Sequence, residues 1–140
     1  MTYLLDTNTL SFLMRGDPPV VEQLTARSRA DVHLCQPVIA EIEYGLARLP
    51  RSARTTRVRR RFDRFLKELV RAPWTDAVSQ AFGRIKADLE RRGIRIEDFD
   101  VAVAAHAVAL DAILVTDNLA HMNRVKDLVV ENWRTAGGAS

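Results

Sequence analysis

Short apolar runs alternating with longer segments of helical periodicity constrain this chain more than any other feature. Tyr3-Leu4-Leu5 opens the sequence, Val32-His33-Leu34-Cys35 follows, and Ala112-Ile113-Leu114-Val115 and Leu128-Val129-Val130 come near the end. The first run is closed by Asp6-Thr7-Asn8-Thr9, whose Thr and Asn side chains suit the N-cap of a helix through Leu10, Phe12 and Leu13. Between the runs, apolar residues return at helical spacing: Val20, Val21 and Leu24, then Val38, Ile42, Leu46 and Leu49. A third set, Val58, Phe62, Phe65, Leu66 and Leu69, predicts a helix from Arg54 to Arg71, ended by Ala72-Pro73-Trp74. Thr75 can cap the next, with Val78, Phe82, Ile85 and Leu89 inward until Gly93 stops it. From Asp98 to Leu110 the pattern is apolar nearly all round, with five alanines among its valines, which predicts a buried helix. Strands alternating with helices imply right-handed crossovers and a three-layer α/β/α sandwich around a central, mostly parallel sheet.

At 140 residues one domain is expected, over residues 1–135, with residues 136–140 as a frayed tail. Hydrophobic residues make up 47% of the chain, which excludes a disordered polypeptide. The lone Cys35 has no partner for a disulfide and no zinc-ligand neighbours, so it is expected in the core. The start shows no secretory pattern and no later run is long enough to cross a bilayer, which points to the cytoplasm. A net charge of +3 permits an anionic partner without specifying one. Arg54, Arg57, Arg61 and Arg64 share one face of their helix and are candidates for RNA or partner contacts, a solvated basic face being the plainer reading.

In open parallel sheets the functional crevice lies outside the carboxyl ends of the strands. Asp6 follows the first run and Asp117 follows Ala112–Thr116, so both carboxylates are expected at the same sheet edge. Taken alone, each reads as a helix cap or turn residue. Asp100 begins the almost wholly apolar helix, where interaction with the helix dipole and ligation of a cation compete evenly. Glu41 and Glu43 lie on opposite borders of one apolar stripe, and periodicity does not choose between them. Acids from separate elements, brought together by a parallel sheet, suit a hard divalent cation such as Mg2+ or Mn2+, which can activate water against a phosphodiester. No Walker loop, Gly-x-Gly-x-x-Gly run or Ser/His/Asp order competes with this reading. His106 reads as a packing residue with one satisfied nitrogen, and Tyr44 and Trp74 as core or interface aromatics rather than base-stacking platforms.

Leu4-Leu5-Asp6-Thr7-Asn8, Ala40-Glu41-Ile42-Glu43-Tyr44-Gly45-Leu46, Asp100-Val101-Ala102-Val103-Ala104-Ala105-His106-Ala107 and Leu114-Val115-Thr116-Asp117-Asn118 resemble, in order, the blocks of VapC-like PIN-domain toxins. Val130-Glu131-Asn132-Trp133 is similar to that family's last strand, so the resemblance covers essentially the whole chain. It implies a PIN-like fold and a metal-dependent endoribonuclease, using Mg2+ or Mn2+, that is homodimeric and held inactive by a cognate antitoxin. The acidic site it implies falls on Asp6, Glu41 and Asp100, the glutamate being the one four residues before Gly45. The fourth position falls around Asp117 and is shared between Asp117 and Asn118, because the family often carries its acid two residues after the threonine, where this chain has Asn118. Asn8 and Thr116 match polar residues beside the acids. A phosphoacceptor domain and a haloacid-dehalogenase-like phosphatase fit less well, since Asp6 has neither an adjacent acid nor an Asp-x-Asp start. A PIN-like module that binds RNA or antitoxin without cutting is the alternative.

Overall fold

The computed structural model describes residues 1–135, so the expected fraying of 136–140 lies outside the described residues. Its five strands are β1 (Tyr3–Leu5), β2 (Val32–Cys35), β3 (Val70–Ala72), β4 (Ile113–Val115) and β5 (Val129–Glu131). They form one sheet, in the order β3-β2-β1-β4-β5, with every neighbouring pair parallel. The helices are α1 (Thr7–Met14), α2 (Pro18–Thr25), α3 (Gln36–Ala47), α4 (Ala53–Glu68), α5 (Asp76–Arg91), α6 (Asp98–Leu110) and the single turn α7 (Leu119–Met122). Leu4, Leu5, Leu34, Leu114 and Val115 are wholly buried, as a sheet covered on both faces demands, which explains why the central strands β1 and β4 are continuous apolar runs instead of alternating ones.

Several elements differ from the sequence expectation. The helix predicted to reach Arg71 stops at Glu68, and Val70-Arg71-Ala72 pairs with His33-Leu34-Cys35 as an edge strand. Val70 and Arg71 are exposed and only Ala72 turns inward, so the segment lacks the apolar signature of the interior strands. Pro73, without an N–H, follows directly where a continuing ladder would need a donor. The turn α7 is too short to show periodicity; its anchor is the buried Met122. Helix α3 ends at Ala47, which leaves Leu49 beyond it and exposed, while α2 buries Val20 and Leu24 and leaves Val21 outward.

Helix α6 matches its expectation, with every residue from Val101 to Ala107 buried. It ends at Asp111, whose left-handed backbone (φ 53°) stops the helix and turns the chain into β4. Cys35 is buried in the core. On the β5 side, Trp133 is almost wholly buried and closes the sheet: its ring lies 5.7 Å from that of Tyr3, and its Nε1–H donates to Glu131 at 2.8 Å. The Arg27 guanidinium lies over both rings, 4.6 Å from Tyr3 and 4.9 Å from Trp133.

Chain direction at the centre of the sheet positions everything that follows. From β1 the chain moves outward through β2 to β3, then returns to β4 on the other side of β1 and continues to β5. Connections leaving β1 and β4 therefore diverge, and a crevice opens between their carboxyl ends. Because a large buried aromatic contributes several kcal/mol, Trp133→Ala is expected to cost about 3–5 kcal/mol in urea unfolding. A loss below about 1 kcal/mol, the level of an ordinary substitution, would mean that the C-terminal segment is not part of the core.

Candidate active site

Asp6 lies one residue beyond β1, at the mouth of that crevice. Its backbone N–H donates to the Val115 carbonyl at 3.0 Å, and the Thr9 hydroxyl reaches the same carbonyl at 3.0 Å. Its carboxylate caps α1 by accepting from the Thr9 N–H at 2.8 Å. The capping role of an isolated Asp is thus fulfilled, yet a carboxylate has about four lone-pair sites and the cap occupies one. Burial pushes the Asp6 carboxyl above its ordinary range, with the charge of Asp117 adding to the effect; hydrogen bonds from Thr116 and Thr9 oppose it.

Across the crevice, Asp117 follows β4 and accepts from Asn8 Nδ2 at 3.2 Å. Thr116 is wholly buried, and its hydroxyl accepts from the Asn118 N–H at 2.9 Å. The Asn118 side chain engages His121 on α7, with Nδ2 and Nδ1 3.1 Å apart. Asp117 therefore stands against Asn8 and within electrostatic reach of Asp6, whereas Asn118 is tied to α7.

Helix α3 separates the two glutamates. Glu41 accepts a 2.6 Å hydrogen bond from the Thr7 hydroxyl at the start of α1. Glu43, on the opposite border, takes both guanidinium nitrogens of Arg59 on α4, one at 3.0 Å, and this partner holds its carboxyl below the usual range. The pair periodicity left open is thereby resolved geometrically: Glu41 faces the acids and Glu43 faces α4.

Helix α6 enters β4 directly and runs antiparallel to it, which brings its first turn back to the same sheet edge. Asp100 sits there half-buried. Burial raises its carboxyl pKa, repulsion from Glu41 raises it further, and His121 pulls the other way. Asp98 does not cap the helix; it pairs with Lys86 at 3.0 Å, and Glu97 at the cap position makes no side-chain bond.

The structure thus brings Asp6, Glu41, Asp100 and Asp117 to one edge as two repelling pairs, Asp6 with Asp117 and Glu41 with Asp100. Among the described residues, none of the four takes part in an ion pair. Nor, among the described residues, do three acidic, His or Cys side chains already close around one point as a finished chelate. The donors these four side chains offer are all carboxylate oxygens, the ligand type that a hard divalent ion prefers. Two contributors were not singled out by sequence: Thr7, read only as a cap, holds Glu41 over a separation of 34 residues, and His121 lies on a helix too short for a periodic signal.

The remaining candidates resolve differently. His106 is buried, with Nδ1 2.8 Å from the Ala102 carbonyl and Nε2 unpartnered, and burial lowers its pKa. Trp74 packs edge-on against it at 5.1 Å. Arg61 donates to the Met14 carbonyl at 2.9 Å and so anchors α4 to α1, while Arg54, Arg57 and Arg64 stay at the surface. Tyr44 is neither core nor covered: it is 65% exposed.

Comparison with known proteins places the fold in a family. Ribonuclease VapC2 of Rickettsia felis is 29% identical over 136 residues, spanning 95% of this chain and 98% of the relative. A tRNA(fMet)-specific endonuclease VapC of Shigella flexneri is 26% identical over 133 residues with the same coverage. The crystal structure of VapBC2 from Rickettsia felis bound to a promoter DNA fragment contains a chain that superposes with a TM-score of 0.86 at 27% identity, over 95% of this chain and 99% of that one. The PIN domain profile matches residues 3–128, nearly the whole described chain, and the protein belongs to the PIN domain family.

Proposed function

We propose that this chain is the ribonuclease toxin of a toxin–antitoxin pair, and that its clustered acids work with a magnesium or manganese ion. The observation that carries the reading is the convergence of Asp6, Glu41, Asp100 and Asp117 at one sheet edge, where, among the described residues, none of them pairs with a lysine or arginine. Relatives along the whole chain are named as ribonucleases, which supports an RNA-cleaving hydrolase. When bound, such an ion supplies water activation and neutralises charge developing on the phosphodiester. The four acids would hold it. Thr7 orients Glu41, Asn8 orients Asp117, and Thr116 steadies Asp6. Hydrolysis forms a bond from water oxygen to phosphorus, breaks the bond to the leaving sugar oxygen, and transfers the water proton to that oxygen.

A cognate antitoxin is the expected protein partner, since the superposed VapBC2 assembly pairs toxin with antitoxin on DNA. Homodimerisation and a cytoplasmic location belong to the same proposal. Among the described residues, no helix is long and apolar enough to cross a membrane. One observation favours a second reading, a module that binds RNA or antitoxin without cutting: Asn118 occupies the place where the family often carries an acid, and it is turned to His121. Metal-dependent cleavage of RNA by the purified protein separates the two readings, and its absence with both magnesium and manganese would favour the second.

Under the first reading, Asp6→Ala, Glu41→Ala and Asp100→Ala each abolish cleavage and growth inhibition, while Glu43→Ala stays near wild type. A dead Glu43→Ala beside an active Glu41→Ala would reverse the assignment. Thr7→Val, which removes only the orienting hydroxyl, is expected to lower activity about 10–100-fold. Asp117→Ala is expected to lose more activity than Asn118→Ala; equal or reversed losses would move the fourth position to Asn118.

A further inference from the structure

Helix α3 carries more than Glu41 on the side that borders the acids. Residues 41, 44 and 48 lie three and seven positions apart, so Glu41, Tyr44 and Arg48 form one stripe. Along the axis Tyr44 stands about 4.5 Å beyond Glu41 and Arg48 about 10.5 Å beyond it. Tyr44 is 65% exposed, and the Arg48 guanidinium lies over its ring at 5.0 Å. An aromatic ring this open contributes little to the core.

Gly45 lies beside this stripe. It is inside the helix, where glycine is destabilising by roughly 1 kcal/mol relative to alanine. Its backbone is not left-handed, and a Cβ built on it would meet nothing within 4 Å. Neither chain conformation nor internal packing therefore requires a glycine here. A bare patch of helix next to Glu41 gives an external group room to approach the backbone closely.

We infer that the Glu41–Gly45–Tyr44–Arg48 surface of α3 is a track for single-stranded RNA: the sugar–phosphate backbone crosses the bare patch at Gly45, one unpaired base stacks on Tyr44, and Arg48 meets a phosphate. This rests on the nuclease reading above and adds to it where the strand lies and why it must be single-stranded, since a base engaged in a duplex does not offer its face. Glu43 does not oppose the strand from the helix, because Arg59 neutralises it on the far border.

The test measures binding of a fluorescently labelled single-stranded oligoribonucleotide to the full-length protein in calcium, followed by manganese-dependent cleavage of the same RNA. Tyr44→Ala is expected to weaken binding roughly ten- to hundredfold, the range of one stacked base, and to raise KM more than it lowers kcat. Tyr44→Phe keeps the ring and stays near wild type. Gly45→Ala is expected to raise the melting temperature, as alanine favours the helix, while weakening RNA binding, a combination a purely structural role does not produce. Arg48→Gln is expected to flatten the salt dependence of binding. If wild type cleaves this RNA but Tyr44→Ala and Gly45→Ala bind it unchanged, the track is wrong and the nuclease reading stands. Variants that keep RNA affinity but lose the antitoxin or self-association overturn the track in favour of a protein contact. If wild type neither binds nor cleaves RNA, it is the nuclease reading that fails.

Discussion

The pairing of β1 with β4 is the constraint on which the site depends. Leu5 opposite Val115 brings the two strands to the same level, and the Asp6 N–H and the Thr9 hydroxyl converge on the Val115 carbonyl to fix that register. One residue farther along each strand, the chain diverges and leaves a polar crevice. Asp6 then holds two positions at once: it caps α1 and, through that cap, places Thr7 toward Glu41 and Asn8 toward Asp117. A shift of one residue in this pairing would turn Asp6 away from its partners and misplace the cap. Fold and site are therefore stabilised by the same few hydrogen bonds.

Much of this was legible in the sequence because the relevant signals are local. The central β1 and β4 runs are apolar on both faces, β2 and β5 are short apolar runs broken by one polar residue each, and the N-cap after β1 is spelled out in consecutive residues. The buried α6 announces itself through valines and alanines on every side. What stayed hidden depends on tertiary pairing. Val70-Arg71-Ala72 is a strand only because β2 offers it a ladder, and Pro73 marks its end without revealing its existence. The Glu41/Glu43 ambiguity is intrinsic to a helix border; the family resemblance favoured Glu41, and physical separation came from Thr7 on α1 and Arg59 on α4. Tyr44 shows the same limit from the other side, since a helix-edge aromatic looks like core until its exposure is seen.

Electrostatically the site is strained and its surroundings are not. Surface acids such as Glu43 and Asp88 have basic partners that lower their pKa values, whereas Asp6 and Asp100 are raised by burial and by neighbouring acids. For a carboxyl whose folded pKa lies above its unfolded value, the associated stability is fully present below the unfolded pKa, near 3.8 for Asp100, and is lost as pH rises through the folded one. At neutral pH, ionised Asp100 therefore destabilises the metal-free protein, and a divalent cation would relieve that strain.

Thermal melts at neutral pH of wild type and Asp100→Asn, each in chelator and in millimolar manganese, test this directly. The amide removes one charge at nearly constant shape. In chelator Asp100→Asn should melt above wild type, and manganese should raise wild type by much more than the variant, by about 2.7 kcal/mol when free metal is a hundredfold above its dissociation constant. An Asp100→Asn protein that gains as much from manganese as wild type would remove Asp100 from the ligand set and contradict the metal-dependent account.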